Sequence, residues 1–167
     1  MDFSDTKEEA AFREEVQGWI AENAPDYLYE SLSTSGFGST RPSDYDPLTE
    51  AKKWQKKKAD AGWACIQWPK EYGGRGATPI ESVIWGQEEG VYARLIGNFI
   101  IGQGMCAPTM MAFASEEHKQ HYLPKLASGE EVWCQLFSEP HSGSDLAGLR
   151  TRAEKDGDDW VINGQKI

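Results

Sequence analysis

The chain has 167 residues, 39% of them hydrophobic, and its formal net charge at pH 7 is −10. This length is typical of about one domain, and the composition is sufficient for a packed core. The acidic balance argues against a nucleic-acid partner, because phosphate binding requires clustered Lys and Arg side chains. Three separated cysteines, Cys65, Cys106 and Cys134, argue against a disulfide framework and indicate a reducing, cytoplasmic compartment.

Hydrophobic and charged runs further limit the class of protein. No apolar run approaches the ~20 residues that cross a bilayer, and the acidic residues near the start differ from those of a signal or transit peptide. We therefore expect a soluble protein without membrane insertion. The lysines at positions 52, 53, 56, 57 and 58 recur at helical spacing, and we interpret them as a solvated helix face rather than a binding patch.

The first half of the chain predicts three helices. Ser4 or Asp5 can cap the first, whose apolar residues recur at helical spacing until Pro25. A loop rich in Ser and Gly is predicted around residues 33–43. The second helix begins after the cap at Asp46 and ends near residue 61. The third begins at the capping box of Thr78 and is predicted to extend to about residue 94.

Two further helices are predicted over residues 98–114, with a break near 102–108, and from the cap at Ser115 to about residue 126. The tryptophans at positions 54, 63, 68 and 85 are expected to fill the core between helices. His118 and His121 lie three residues apart on one predicted helix. No third ligand with suitable spacing accompanies them, so no metal site is assigned.

After Gly129 the spacing of apolar residues changes from helical to alternating. Strands are predicted over residues 132–137, 149–155 and 160–162, and Asp156-Gly157 is a hairpin signal between the last two. The fold class is therefore α+β. A mainly α-helical domain over residues 1–129 precedes the first strands of an incomplete β domain over residues 130–167.

A polar turn follows the first predicted strand, over residues 138–148. It combines a hydroxyl at Ser138 and a carboxylate at Glu139 with the run Gly143-Ser144-Asp145. Phosphate oxygens bind to N–H and hydroxyl donors where the backbone can approach closely, and Gly143 permits such an approach. The alternative is a strand-ending turn whose polar side chains cap only one another.

The turn resembles the signature of the acyl-CoA dehydrogenase family of flavoproteins. The matching residues are Ser138, Glu139, Ser142, Gly143, Ser144 and Asp145. The chain departs at Leu136, where a smaller residue is usual, and at His141, where glycine is common. Neither change removes a group that would contact flavin. The resemblance covers essentially the whole chain, including residues 62–74, 105–108, 116–124, 129–131 and 162–166.

The resemblance implies FAD as the cofactor. Gln135, Leu136 and Phe137 would present backbone groups to the pyrimidine edge of the ring, and Ser138 would hydrogen-bond near N5 and O4. Gly143 and Ser144 would lie against the pyrophosphate or the CoA part of the substrate. Ser144 is thus also a substrate-binding candidate.

The implied reaction is α,β-desaturation of an acyl-CoA thioester, with a glutamate base removing the α proton. No glutamate of this chain matches that base, so no catalytic residue is assigned. We expect residues beyond Ile167 to supply the base and the remaining flavin walls, so that the chain alone is inactive. The implied partners are the acyl-CoA substrate, electron-transfer flavoprotein or a similar acceptor, and further subunits of a homo- or hetero-oligomer.

Two other functions remain open. The chain could be a non-catalytic interaction module of this fold. Alternatively, it could belong to an acyl-CoA oxidase, a nitroalkane oxidase or a flavin monooxygenase, which share the architecture. In the family arrangement Ile100, Ile101 and Met105 would line an acyl pocket, and core packing is the alternative for these three side chains.

Overall fold

A computed structural model of the chain describes residues 4–24 and 46–167. Its contacts separate two compact units, Met1–Trp133 and Cys134–Ile167. The loop predicted around residues 33–43 and the helix end predicted at Pro25 lie outside the described residues. The division into domains after residue 129 stays a prediction.

Helix α1 spans Lys7–Asn23 and begins with a capping box. The N-cap is Thr6, not Ser4 or Asp5: its hydroxyl accepts from the N–H of Glu9, and the Glu9 carboxylate accepts from the N–H of Thr6. Asp5 instead forms an ion pair with Arg13, at 2.6 Å. Of the neighbouring polar residues, Thr6 is the N-cap because Glu9, three positions later, completes the capping box with it.

Helices α2, Pro47–Asp60, and α3, Pro79–Glu89, begin where the sequence predicts. Asp46 caps α2 through the N–H of Thr49, and Thr78 forms a reciprocal box with Glu81. Helix α3 ends five residues earlier than predicted. A 3₁₀ turn, Gly90–Tyr92, follows it, and then come the short helix α4, Ala93–Ile96, and a second 3₁₀ turn, Gly97–Phe99.

The break predicted near residues 102–108 is a π-helical segment, Gly102–Cys106, which leads directly into helix α5, Ala107–Phe113. Helix α6, Glu116–Ser128, is capped by Ser115 as predicted. It ends at Gly129, which has a φ of 74°. A left-handed residue at this position is a common helix terminator, and glycine adopts it with the least strain.

The core of the helical unit lies where α1 packs on α3 and where α2 packs on α4 and α6. Trp54, Trp63, Trp68 and Trp85 are all buried, which confirms their predicted core role. Trp63 and Trp85 stack with their ring centroids 4.8 Å apart and their planes inclined by 14°. The guanidinium of Arg75 lies 3.7 Å from the centre of the Trp63 ring.

The second unit contains an antiparallel hairpin of β1, Arg152–Asp156, and β2, Asp159–Asn163. Its turn has Gly157 at a φ of 63°, as expected for a two-residue loop. Strand β1 begins three residues later than predicted. The strand predicted over residues 132–137 is wrong, because this extended segment pairs with no strand among the described residues.

The described residues thus form a mainly helical chain with a two-stranded antiparallel sheet, which confirms the predicted α+β class.

Within residues 4–24 and 46–167, no helix combines the length and apolar character that crossing a membrane requires.

Candidate functional site

The polar turn after residue 137 is closed by backbone hydrogen bonds. The N–H of Glu139 donates to the carbonyl of Ser142 at 2.7 Å, and the N–H of Ser142 donates back at 3.1 Å. The Ser142 hydroxyl donates to the carbonyl of Asp145. A Cβ atom at Gly148 would lie 2.5 Å from a carboxylate oxygen of Asp145, so a side chain there would displace the Asp145 carboxylate.

The buried carboxylate of Glu139 connects this turn to the following segments. Its Oε2 accepts from the N–H of Arg150 at 2.7 Å, and its Oε1 accepts from the N–H of Thr151 at 2.9 Å. Lys166 Nζ donates to Oε1 at 3.0 Å and to the carbonyl of Phe137 at 3.0 Å. The turn is therefore fixed to the two residues before β1 and to the segment after β2.

These contacts lower the pKa of Glu139 far below its ordinary value. The hydroxyl of Thr151 beside the carboxylate is the largest cause, followed by the N–H groups of Arg150 and Thr151, and burial opposes the shift. The geometry gives the hydroxyl a smaller part, because Thr151 Oγ1 forms no regular hydrogen bond within the described chain. We attribute the shift mainly to the two N–H donors.

The residues predicted to contact flavin leave donors available. Gln135, Leu136 and Phe137 are exposed, and Ser138 is half-buried. The carbonyl of Ser138 accepts from the N–H of Ile167 at 3.1 Å. Within the described residues, the N–H groups of Phe137 and Ser138 donate no hydrogen bond. The segment therefore has carbonyls fixed by the protein and amide donors open to a ligand.

Gly143 and Ser144 lie on the exposed side of the turn. Their N–H groups also donate no hydrogen bond within the described part of the chain. A Cβ atom at Gly143 would have no neighbour within 4 Å, so a ligand could approach the backbone closely. Open N–H donors and an unobstructed backbone suit the oxygens of a flavin ring or a phosphate, so the residues present fit FAD.

Three contributors to this turn have no assigned role in the sequence-based prediction: Arg150, Thr151 and Lys166. Two of them act through backbone N–H groups, which no side-chain pattern reveals. Lys166 belongs to a matching segment, and its spacing from Phe137 and Glu139 gives no sign of contact. The sequence signal that could have indicated such contacts is Glu139, because a carboxylate that becomes buried requires hydrogen-bond donors nearby.

A second feature lies within the helical unit, where α2, the residues after it, α3 and the π-helical segment line a cavity of about 310 Å³ that is open to the surface. One part of its wall is apolar. Another part carries the ion pair of Lys58 and Glu89, whose side chains are 2% and 7% exposed. Their Nζ and Oε1 atoms are 2.5 Å apart, and Oε1 also accepts from Trp54 Nε1 at 3.1 Å. The lining residues used below are Lys58, Cys65, Gln67, Glu89, Ile100 and Gly104.

The cavity corrects the predicted exposure of Lys58 and separates the three residues that were predicted to line an acyl pocket. Lys58 is buried, so it does not belong to the solvated lysine face predicted for α2. It points to Glu89, a partner 31 residues away that helical spacing cannot identify. Ile100 lines the cavity, whereas Ile101 and Met105 are not among its lining residues. Burial raises the pKa of the Cys65 thiol in the same wall to about 12.

His118 and His121 are both exposed on α6. His121 Nε2 lies 3.1 Å from Lys125 Nζ, and its ring packs edge-on against Tyr122. No group of three or more His, Cys, Asp or Glu side chains with metal-site geometry occurs among the described residues. The rings of both histidines pack against Tyr122.

Residues 6–130 match the model of the family described as "Acyl-CoA dehydrogenase, N-terminal domain". Acyl-CoA dehydrogenase IpdE1 of Mycobacterium tuberculosis is 38% identical over 161 residues. That alignment covers 93% of this chain and 40% of the relative. The chain thus spans about two fifths of the length of this relative.

Two solved structures extend the comparison. A subunit of the ChsE4–ChsE5 complex from Mycobacterium tuberculosis matches with a TM-score of 0.72 and 31% identity, over 100% of this chain and 39% of that one. An acyl-CoA dehydrogenase complexed with FAD from Bacillus anthracis matches with a TM-score of 0.61 and 26% identity, over 98% of this chain and 26% of that one. Both alignments cover nearly the whole of this chain.

Proposed function

Because the chain belongs to the acyl-CoA dehydrogenase family, we propose that it contributes to an FAD-dependent enzyme that introduces an α,β double bond into an acyl-CoA thioester. Residues 1–129 provide the helical domain, and residues 130–167 begin the flavin-binding β domain. The observation that carries this proposal is the turn after residue 137. Buried Glu139 accepts there from the N–H groups of Arg150 and Thr151, and the N–H groups of Gly143 and Ser144 donate no hydrogen bond within the described residues.

Each residue of the turn has a proposed role. The backbone of Gln135, Leu136 and Phe137 binds the pyrimidine edge of the flavin, and the Ser138 hydroxyl donates a hydrogen bond near N5 and O4. FAD, when bound, supplies the hydride acceptor of the reaction. The exposed N–H groups of Gly143 and Ser144 bind the pyrophosphate or the CoA moiety. The FAD complex of the Bacillus anthracis relative supports FAD as the cofactor.

The proton-abstracting base and the electron acceptor are not assigned to residues of this chain. The chain spans two fifths of the length of IpdE1, and we propose that the base lies in the polypeptide outside these residues. We further propose electron-transfer flavoprotein or a similar protein as the acceptor. The assembly of the ChsE4–ChsE5 relative as a complex supports an oligomeric enzyme.

The test uses the full polypeptide in which these residues occur, purified with its bound flavin. Anaerobic addition of an acyl-CoA should bleach the oxidised flavin spectrum and yield a 2-enoyl-CoA. Flavin that is bound but not reduced by any acyl-CoA would contradict desaturation. Rapid reoxidation by O₂ with stoichiometric peroxide would identify an oxidase instead, and a folded polypeptide that retains no flavin would favour the interaction module.

A further inference from the structure

The cavity in the helical unit has an unusual wall for an apolar pocket. Lys58 and Glu89 are both buried, and both line the cavity. The rest of the lining includes large apolar side chains. The exposed residues Gln67, Ile100 and Gly104 also line the cavity, so it reaches the protein surface. A ligand could therefore enter and meet the ion pair at the buried wall.

Stability alone does not account for this ion pair. Burying two charges has a large desolvation cost, and replacing such a pair by packed hydrophobic residues is often neutral or stabilising. The neighbouring buried residues on α2, Ala51 and Trp54, belong to an apolar cluster, so a hydrophobic residue at position 58 would suit its surroundings. The charges therefore require another explanation, and a buried ion pair that lines a cavity is a candidate for contact with a ligand.

The ammonium of Lys58 has N–H groups that form no hydrogen bond within the described residues. It carries three N–H groups, and within the described residues Nζ forms one hydrogen bond, to Glu89 Oε1. The centre of the Trp54 ring lies 5.9 Å from Nζ. An ammonium with unused N–H groups at the wall of a cavity suits an oxygen that accepts hydrogen bonds.

The charges of Lys58 and Glu89 determine which kind of ligand oxygen fits this site. Glu89 already neutralises Lys58, so a carboxylate on the ligand would introduce an uncompensated charge into a buried site. A ketone or alcohol oxygen accepts a hydrogen bond without that cost. The volume of about 310 Å³ lies at the lower end of the range for small-molecule pockets, which suits a compact ring rather than a long chain.

We propose that this cavity binds the distal part of an acyl group that is compact, largely apolar and carries a neutral oxygen, with Lys58 donating to that oxygen. This inference rests on the proposed function, because the group arrives as part of an acyl-CoA. Lys58 thereby becomes a specificity-determining residue, and Glu89 a positioning residue that holds the ammonium.

The test compares two acyl-CoAs of equal length, one ending in a cyclohexyl ring and one in a 4-oxocyclohexyl ring. Dissociation constants are measured on the full polypeptide with flavin bound, and kcat/KM where turnover occurs. We expect the keto compound to bind about tenfold more tightly, as for a hydrogen bond to a charged group. The infrared C=O stretch of the ¹³C-labelled ketone should move to lower frequency on binding.

Single variants at Lys58 leave a buried carboxylate unpaired and are expected to fold poorly. The informative variant is therefore Lys58→Met combined with Glu89→Gln. It should keep the cyclohexyl affinity within about twofold and lose both the keto preference and the infrared shift. Lys56→Met is the matched control, because Lys56 lies exposed on the same helix and pairs with Asp60.

Equal affinity of the natural protein for the two acyl-CoAs would overturn the inference, as would a preference that persists in the folded double variant. The proposed desaturation can fail separately. Keto-selective binding without flavin reduction would reject the reaction and retain the oxygen-binding cavity, whereas reduction without selectivity would retain the reaction and reject the cavity.

Discussion

Ser138 is the residue whose side chain is proposed to act directly on flavin. In the full polypeptide, Ser138→Ala removes the hydroxyl and leaves the carbonyl that accepts from Ile167. A hydrogen bond contributes about 0.5–1.5 kcal/mol when neutral and more where charge develops. We expect flavin to remain bound, its potential to shift, and flavin reduction to slow by roughly tenfold, since ~1.4 kcal/mol is a factor of ten in rate.

Ser115→Ala is the control for this change. It removes the N-cap hydroxyl of α6 and should lower the free energy of unfolding by about 1 kcal/mol with little effect on flavin reduction. Stopped-flow reduction that is unchanged in Ser138→Ala, at unchanged stability, would show that Ser138 does not face the ring.

Glu139 should make the stability of the second unit depend on pH. Its pKa is lowered in the folded state by the hydroxyl of Thr151 and the N–H groups of Arg150 and Thr151. The stabilisation is therefore present above the unfolded pKa of about 4.3 and is lost as pH falls below it toward the folded value. Glu139→Gln should lower the melting temperature at pH 7 and flatten its decline toward pH 3.

The matched control is Glu154→Gln, an exposed carboxylate in β1, which should leave the melting temperature nearly unchanged. Thermal unfolding followed from pH 3 to pH 7 measures both variants. The same acid-induced decline in Glu139→Gln and in the natural protein would exclude this carboxylate as its source.

The cysteines should differ sharply in reactivity. Burial raises the pKa of Cys65 to about 12, whereas Cys134 is exposed. The thiolate is the reactive form, so at pH 8 a thiol reagent should modify Cys134 rapidly and Cys65 only after denaturation. Peptide mapping of alkylated protein measures this order, with Cys134→Ser as control. Modification of Cys65 at the rate of Cys134 in the native protein would contradict the assigned burial.

At the scale of elements, local signals predicted helix starts better than helix ends. Asp46, Thr78 and Ser115 cap helices as expected, because a cap depends on residues within one turn. The end of α3 was missed, since it depends on how residues after Glu89 pack. The apolar segment 132–137 has the composition of a strand, but a strand also requires a partner, which composition does not specify.

Gly129 combines two requirements that glycine alone meets. Its φ is 74°, and a Cβ atom would lie 2.9 Å from both Gln55 Cγ and Phe99 Cε1. Gly129→Ala should destabilise the helical unit through backbone strain and through overpacking, which typically costs about 1–3 kcal/mol. Chemical denaturation followed by circular dichroism measures the loss.

Gly76→Ala is the control for the backbone contribution, because Gly76 has a φ of 66° and no atom within 4 Å of a Cβ. The difference between the two variants isolates the contact with Gln55 and Phe99. Equal losses in Gly129→Ala and Gly76→Ala would mean that the α2 and α6 region accommodates the methyl group.

At the scale of the whole molecule, the order of a helical part followed by a β part was predictable, because the spacing of apolar residues changes near residue 129. The residue pairs that form the two sites are less predictable from the sequence. Lys58 and Glu89 are 31 positions apart, and Glu139 and Lys166 are 27 apart. Such pairs depend on tertiary packing, and a lysine run predicts exposure until the fold supplies a buried partner.

The two units should differ in local stability. Every residue of β1 and β2 is exposed, and an isolated two-stranded hairpin is marginally stable. Helix α3 contains buried Ile84 and Trp85. In the dilute 167-residue chain, hydrogen exchange should therefore be faster for amides of the hairpin than for those of α3. Equal protection of the two would show that the hairpin is covered, and sedimentation would then test for self-association.

The stacked indoles of Trp63 and Trp85 have an optical consequence. The transition dipoles of indoles at a centroid separation of 4.8 Å interact, and the Trp19 ring lies only 5.9 Å from Trp63 and 6.0 Å from Trp85. We therefore expect the three rings to contribute jointly to the circular dichroism of the folded protein. Trp19 lies on α1, Trp63 follows α2 and Trp85 lies on α3, so this contribution should be lost when these helices separate. The protein thereby carries an intrinsic spectroscopic reporter of its helical assembly, readable without any label.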